Sequence, residues 1–390
     1  MAVGLLAAAG LMAAQASMPS VAAICAAVDH PPSAAASIGV SPTAKADSAR
    51  LTAEATALVA DRSNRTVTEA IAKLQQATQL DPSNAAAFAR LANVHGLSPR
   101  YADVPHPVAE AKQWQAVSRA YALAPDDLPV LQALANAVVV NGRDLACAER
   151  ILLRARRKDP LNADTSFGLS SLRGSRGDFA AAYADLDLAI ANAAPAQRLA
   201  FQYNSGRLYL MARDHARVIS HYELLIAANP LDSRNSLARF YRGLAFSALG
   251  NNEQALREVM LAPPGPDGDA GALANQARLQ ILGGARVEGL ANLQRLLDRD
   301  RRGQHVVSYQ IAAVYEALGD RDAAFRWLNR YLREVDGLGS WLLWLERDPR
   351  WTEMRKDPRF AILLAAAQPL HVPAKPSPPE PPALPLSPTK

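Results

Sequence analysis

Charge is missing from the start of the chain: no charged side chain precedes Asp29, and no Lys or Arg precedes Lys45. The apolar run Ala2 to Ala14 reads as the core of an export signal, and Ala14-Gln15-Ala16 offers a small-x-small cleavage site before Ser17. The missing basic residues count against that reading. A membrane anchor needs about 20 apolar residues, and Gln15, Ser17, Pro19 and Ser20 interrupt this run. The expectation is a cleaved signal over 1–16, with an uncleaved inner-membrane anchor as the alternative, and a periplasmic or secreted product. Residues 17–45, rich in Ala, Ser and Pro, read as a disordered linker.

Other scarcities narrow the chemistry. Aromatics are only 6% of a chain that is 49% hydrophobic, which suits Ala-packed helices better than large β cores. Two cysteines, Cys25 and Cys147, form no CxxC pair or Cys/His cluster, and HExxH is absent, so a metal site has no support. Nothing obvious orders Cys25, so a disulfide between the two is not expected. No phosphate-cradling glycine loop, GxSxG elbow or post-strand GxGxxG occurs, so neither a cofactor nor a catalytic residue is assigned. Asp185 and Asp187 flank Leu186 and read as a solvated pair, while His215 and His221 fall on different helix faces. The net charge of +5 is slight. Its densest cluster, Arg150, Arg154, Arg156, Arg157 and Lys158, sits in the last turns of a helix and complements the helix dipole, so no nucleic-acid partner is expected.

What the chain does have is repetition. Between about Ala46 and Glu334 a pair of short helices recurs eight times. The clearest copy, Ala163 to Ala196, carries Leu169, Gly177, Asp178, Phe179, Ala182, Leu186 and Ala189. Gly177 ends its first helix in the left-handed region and Asp178 caps the second. A unit this small buries its apolar face only by stacking on neighbours. Two slots, Gly206 and Gly243, require close approach of a partner helix. The sixth copy stops early at Pro263-Pro264-Gly265-Pro266, and the seventh, around Ala277 and Gly284, is the weakest.

These spacings resemble the tetratricopeptide repeat, in which a small residue is followed by an aromatic three on, an Ala nine later and a Pro twelve further. Gly206, Tyr209, Val218 and Pro230 fit with one substitution, and Ala312, Tyr315 and Ala324 fit without the terminal Pro. The resemblance implies an all-α, right-handed superhelical solenoid of about eight helix pairs over 46–335. It also implies that the first helices line a concave groove. That places Gln132, Phe167, Tyr203, Phe240 and Tyr309 at one slot. Asn93, Asn136, Ser171, Arg207, Leu244 and Ala313 fall one turn on. Asn136, Phe167, Tyr203, Arg207, Phe240 and Tyr309 are therefore the candidate partner-binding residues, suited to an extended peptide. Packing of some of these rings between repeats is the competing reading. Ala89 and Gln132 stand where a carboxylate-clamping Lys would be needed, which disfavours chaperone-tail binding.

The stretch WLLWLERDPRWTEMRKDPRFAILL, within a capping segment over 336–367, resembles the close of tetratricopeptide regions in bacterial winged-helix regulators and cyclase-type signalling proteins. Trp341, Trp344, Trp351 and Phe360 are expected to cover the last repeat while Arg and Asp face water. Residues 368–390 form a Pro-rich, extended tail. The implied function is a non-catalytic scaffold for a protein or peptide partner. The alternative is a sensor subunit relaying binding to a membrane signalling protein.

Overall fold

The computed structural model describes residues 19–31, 33–34, 39–59, 63–102, 104–142, 144–232, 234–261, 270–304, 306–333 and 341–367. The expected signal over 1–16 and the tail over 368–390 lie outside the described residues. Among the described residues the fold is all-α, and no helix is long and apolar enough to cross a membrane.

A short helix, α1 (Val21–Ala26), precedes eight helix pairs. They are α2 (Pro42–Leu58) with α3 (Asn64–Leu80), α4 (Ala85–Tyr101) with α5 (His106–Leu123), and α6 (Leu128–Gly142) with α7 (Leu145–Lys158). Next come α8 (Ala163–Ser175) with α9 (Phe179–Asn192), then a broken first helix, α10 (Pro195–Asn204) and α11 (Gly206–Met211), with α12 (His215–Ala228). The last three are α13 (Asn235–Ala248) with α14 (Asn252–Met260), α15 (Ala270–Leu282) with α16 (Arg286–Arg301), and α17 (Ser308–Leu318) with α18 (Arg321–Arg333). Three 3-10 turns and α19 (Pro358–Ala366) close the chain.

One punctuation mark separates the two helices in four of the eight repeats. Gly177, Gly250, Gly284 and Gly319 all have φ between 79° and 90°, a region glycine enters at no steric cost. The residue after each opens the second helix. Asp178, Asn251 and Asp320 do so by accepting a hydrogen bond from a backbone N–H three residues on. In the fifth repeat Arg213 occupies the glycine position at φ 61°, ahead of the capping Asp214.

That repeat is also where the first helix breaks. The Tyr222 hydroxyl enters the backbone ladder, accepting from the Gly206 N–H at 2.9 Å and donating to the Tyr203 carbonyl at 2.7 Å. An inserted side chain of this kind interrupts a helix without proline. A Cβ on residue 206 would run into the same phenol. At Gly243 a Cβ would lie 3.2 Å from Val259 Cγ1 and 3.3 Å from the Ala255 carbonyl. Both glycines therefore sit where close approach was expected. The weak seventh repeat forms a regular pair, and its Leu273, Ala277 and Leu296 join Ile311 of the eighth in one apolar cluster.

Three expectations need correction. The two cysteines are joined: Cys25 and Cys147 form a disulfide across 122 residues. The stretch read as a linker is ordered in part, because α1 buries Ile24 and Cys25, and Val28 beyond it is fully buried. Arginines of the basic cluster hold this stretch in place. Arg150 donates to the Cys25 carbonyl at 2.7 Å and Arg154 to the Val28 carbonyl at 2.9 Å, while the Trp114 indole donates to the Pro19 carbonyl at 3.2 Å. Asp185 is not solvated but 4% exposed, between Arg156 at 2.7 Å and Arg173 at 2.9 Å; Asp187 is exposed.

Candidate functional site: the first-helix face and its closing segment

The ring slot on successive first helices is chiefly a clamp between repeats. Gln132 donates to Asn162 Oδ1 at 2.8 Å and to Thr165 Oγ1 at 3.1 Å. Asn162 is the N-cap of α8, the next first helix. The Tyr203 hydroxyl donates to Asn235 Oδ1 at 2.7 Å, at the start of α13. In the first repeat the same job falls to Ser48, whose Oγ accepts from Asn84, the N-cap of α4, at 2.8 Å. Each of these bonds fixes how far one repeat is rotated against the next.

Tyr309 obeys the same rule with a different partner. Its hydroxyl donates to Asp348 Oδ2 at 2.8 Å and accepts from Trp351 Nε1 at 2.5 Å. Asp348 caps the 3-10 turn Pro349–Trp351, so the closing segment begins as a ninth repeat would. Burial pushes the Asp348 carboxyl up. The Arg350 guanidinium beside it, at 2.6 Å, outweighs that and holds the carboxyl below its usual range. Arg350 also bonds to Gln310. Asp348 and Arg350 are thus core residues, against the expectation that they face water.

Tyr203 and Tyr309 are both fully buried. They correct the ring ladder: neither presents a surface to an outside partner. The remaining candidates are half-buried. Phe167 stacks on Phe201 with centroids 4.3 Å apart. Asn136 lies on α6, where its amide stands 3.9 Å from the Cβ position of Gly96. Arg207 and Phe240 meet the closing segment: the Arg207 guanidinium is 4.6 Å from the centre of the Trp341 ring, and Phe240 is 6.4 Å from it. Trp341 also stacks on Tyr309 at 5.6 Å.

The closing segment therefore runs back across the first-helix face and does more than cover the last repeat. Trp351 and Phe360 pack at the eighth repeat, where Arg359 pairs with Asp322 at 2.5 Å and lies over Phe325. Trp341 reaches the fifth and sixth. Trp344 and Arg347 reach the fourth: a Cβ on Gly174 would lie 3.1 Å from the Trp344 ring, and Arg347 stacks over Phe179. Sequence alone placed the tryptophans together; the separated destinations become visible only with the distant repeats in place.

Two arrangements bear on chemistry. Ser205 Oγ lies 3.3 Å from His221 Nε2, but the hydroxyl donates to the Gln202 carbonyl at 2.8 Å. His221 Nε2 lies 3.0 Å from that same carbonyl, so it serves as a donor there and is no base for the serine. The ligand atoms of Cys25, Asp144 and Cys147 lie within 4.8 Å of one another. Both sulfurs are committed to the disulfide, and Asp144 caps α7 through the Cys147 N–H at 2.8 Å.

No family model matches the sequence, and no curated protein does. Solved structures are similar to it in different degrees. Human IFIT1, as a dimer with PPP-AAAA, is similar over 70% of this chain and 69% of its own, at TM-score 0.50 and 15% identity. A tetratricopeptide repeat protein from Parabacteroides merdae covers 83% of this chain and 99% of its own at TM-score 0.31 and 12% identity. The P58(IPK) TPR domain covers 83% and 98% at TM-score 0.23 and 13% identity. The chain is an all-α helical repeat solenoid of tetratricopeptide-like fold.

Proposed function

We propose that this chain is a non-catalytic scaffold that holds a protein or peptide partner on the first-helix face of its repeats. The carrying observation is what that face already holds: the chain's own closing segment, gripped by rings and guanidinium groups at Arg207, Phe240 and Tyr309. Rings and planar cations are the groups that anchor peptide side chains. The part of the face nearest the N-terminus, with half-buried Asn93, Asn136, Phe167 and Ser171 on α4, α6 and α8, is where an external partner docks first.

A polyanion such as the PPP-AAAA of the IFIT1 structure is not the favoured ligand class here. On this face Arg350 is committed to Asp348, Arg239 and Arg242 to Glu258, and Arg207 to the Trp341 ring. Export to an oxidising compartment fits the Cys25–Cys147 disulfide, since such bonds persist there and not in a reducing cytosol. Cleavage after Ala16 leaves Cys25 in the mature chain.

Affinity capture with the mature chain, followed by identification of bound proteins, tests the scaffold reading. Asn136→Ala/Phe167→Ala, with its melting temperature near the parent's, is expected to lose the captured partner. Undiminished capture moves the site off this face. N-terminal sequencing tests export, and an intact Met1 in the cytosol refutes it.

A further inference from the structure

The closing segment has two parts with different relations to the array. From Asp348 onward it behaves as a surrogate repeat: Asp348 and Arg350 are fused to Tyr309 and Gln310 in the core, and Trp351 is fully buried. Residues 341–347 also reach repeats four to six, while Trp341 stays tied to the eighth through the Tyr309 ring, the Arg350 guanidinium and the Tyr331 hydroxyl. Their contacts with repeats four to six are face-on and side-on, through the Arg207 guanidinium, the Phe240 ring and the Phe179 ring under Arg347.

One defect marks this second part. The Trp344 indole is 4% exposed, yet its Nε1–H has no acceptor. A buried indole donor ordinarily finds one. The Trp351 indole, a few residues on, does find one in Tyr309. Residues 341–347 thus meet repeats four to six through apolar and cation–ring contacts, while the Trp344 indole bond is left unmade. On their backbone, the Trp341 N–H donates to the Tyr331 hydroxyl at 3.2 Å, and the Glu346 carbonyl accepts from Arg355 at 3.1 Å.

We propose that the inner face of repeats four to six is a docking surface for a short Trp-bearing segment, and that residues 341–347 are its resident occupant in cis. A partner reaches the surface by displacing them, which returns the unmade Trp344 Nε1–H to water. The partner this surface fits carries an aromatic side chain to stack under Arg207 beside Phe240, with a basic group spaced to reach the Phe179 ring. The inference deepens the scaffold reading and rests on it. A partner confined to Asn136 and Phe167 would leave that reading intact while this one fails.

A labelled peptide of residues 338–347 provides the probe, titrated by fluorescence anisotropy into the full chain. Trp341→Ala/Trp344→Ala is expected to bind it at least tenfold more tightly than the parent. Adding Arg207→Ala/Phe240→Ala should abolish that gain. A folded Trp341→Ala/Trp344→Ala chain that takes the peptide no better than the parent overturns the proposal. Should this variant not fold, Arg207→Ala/Phe240→Ala in the otherwise native chain answers the question by proteolysis. Tryptic cleavage after Arg347 is then expected to quicken at least tenfold while the repeats stay uncut, and an unchanged rate overturns it.

Discussion

Arg213 sits in the left-handed region at φ 61°, in the slot that Gly177, Gly250, Gly284 and Gly319 fill in other repeats. A Cβ in that conformation costs roughly 1–2 kcal/mol. The residue also lowers the pKa of Arg347 and of Arg355 across the closing segment, each already lowered mainly by burial. Arg213→Gly is expected to raise stability by about 1 kcal/mol in chemical denaturation; a loss of stability would mean the side chain gives more than its backbone costs. His95 makes a second residue-scale case. Burial, with Lys112 nearby, lowers its pKa from 6.5 to about 4. The unfolded chain therefore binds the extra proton over that interval, and stability falls as pH drops from about 6.5 toward 4. Between pH 7 and 5 the site should cost about 2 kcal/mol, and His95→Asn should flatten that part of the profile. Equal slopes in parent and variant would remove His95 as the cause.

At the level of elements, helix pairs and their ends were legible because they depend on local chemistry. Gly177 and Asp178 stop one helix and start the next whatever lies around them. The role of Tyr203 and Tyr309 was not legible, since a ring at one recurring position looks the same whether it lines a groove or joins two repeats. Asn235 and Asp348 decide the matter, and they lie 32 and 39 residues away. The docking of α1 was hidden for a similar reason: the arginines that hold it read equally well as helix-dipole partners. The glycine slots were readable as close approaches, though the phenol at Gly206 was not. Gly206→Leu should therefore cost more than Gly243→Leu, for which about 1–3 kcal/mol is expected. Thermal melts of both variants check the order, and a reversal would mean that the Tyr222 hydroxyl leaves the ladder easily.

For the whole molecule, stacked repeats touch mainly their neighbours, and stability is close to a sum of nearest-neighbour terms. The closing segment departs from this by joining the fourth, fifth, sixth and eighth repeats directly, through Trp344, Trp341 and Trp351. Those repeats should unfold together, with the first three freer to open on their own. Native-state hydrogen exchange is expected to show one common opening free energy for α8 through α18. A gradient falling steadily toward the C-terminal end would contradict it.

The cross-link between Cys25 and Cys147 has a mechanical meaning. Tension applied at the two ends of the chain passes through the sulfur–sulfur bond, and the residues between are never loaded. Repeats one and two, with the first helix of the third, lie inside that shielded loop. In single-molecule stretching the oxidised chain should come up short by the contour of 122 residues, roughly 400 Å at about 3.5 Å each. Adding a reductant should release that length in full. Among the repeats, end-to-end force is thus felt only from Cys147 of α7 onward.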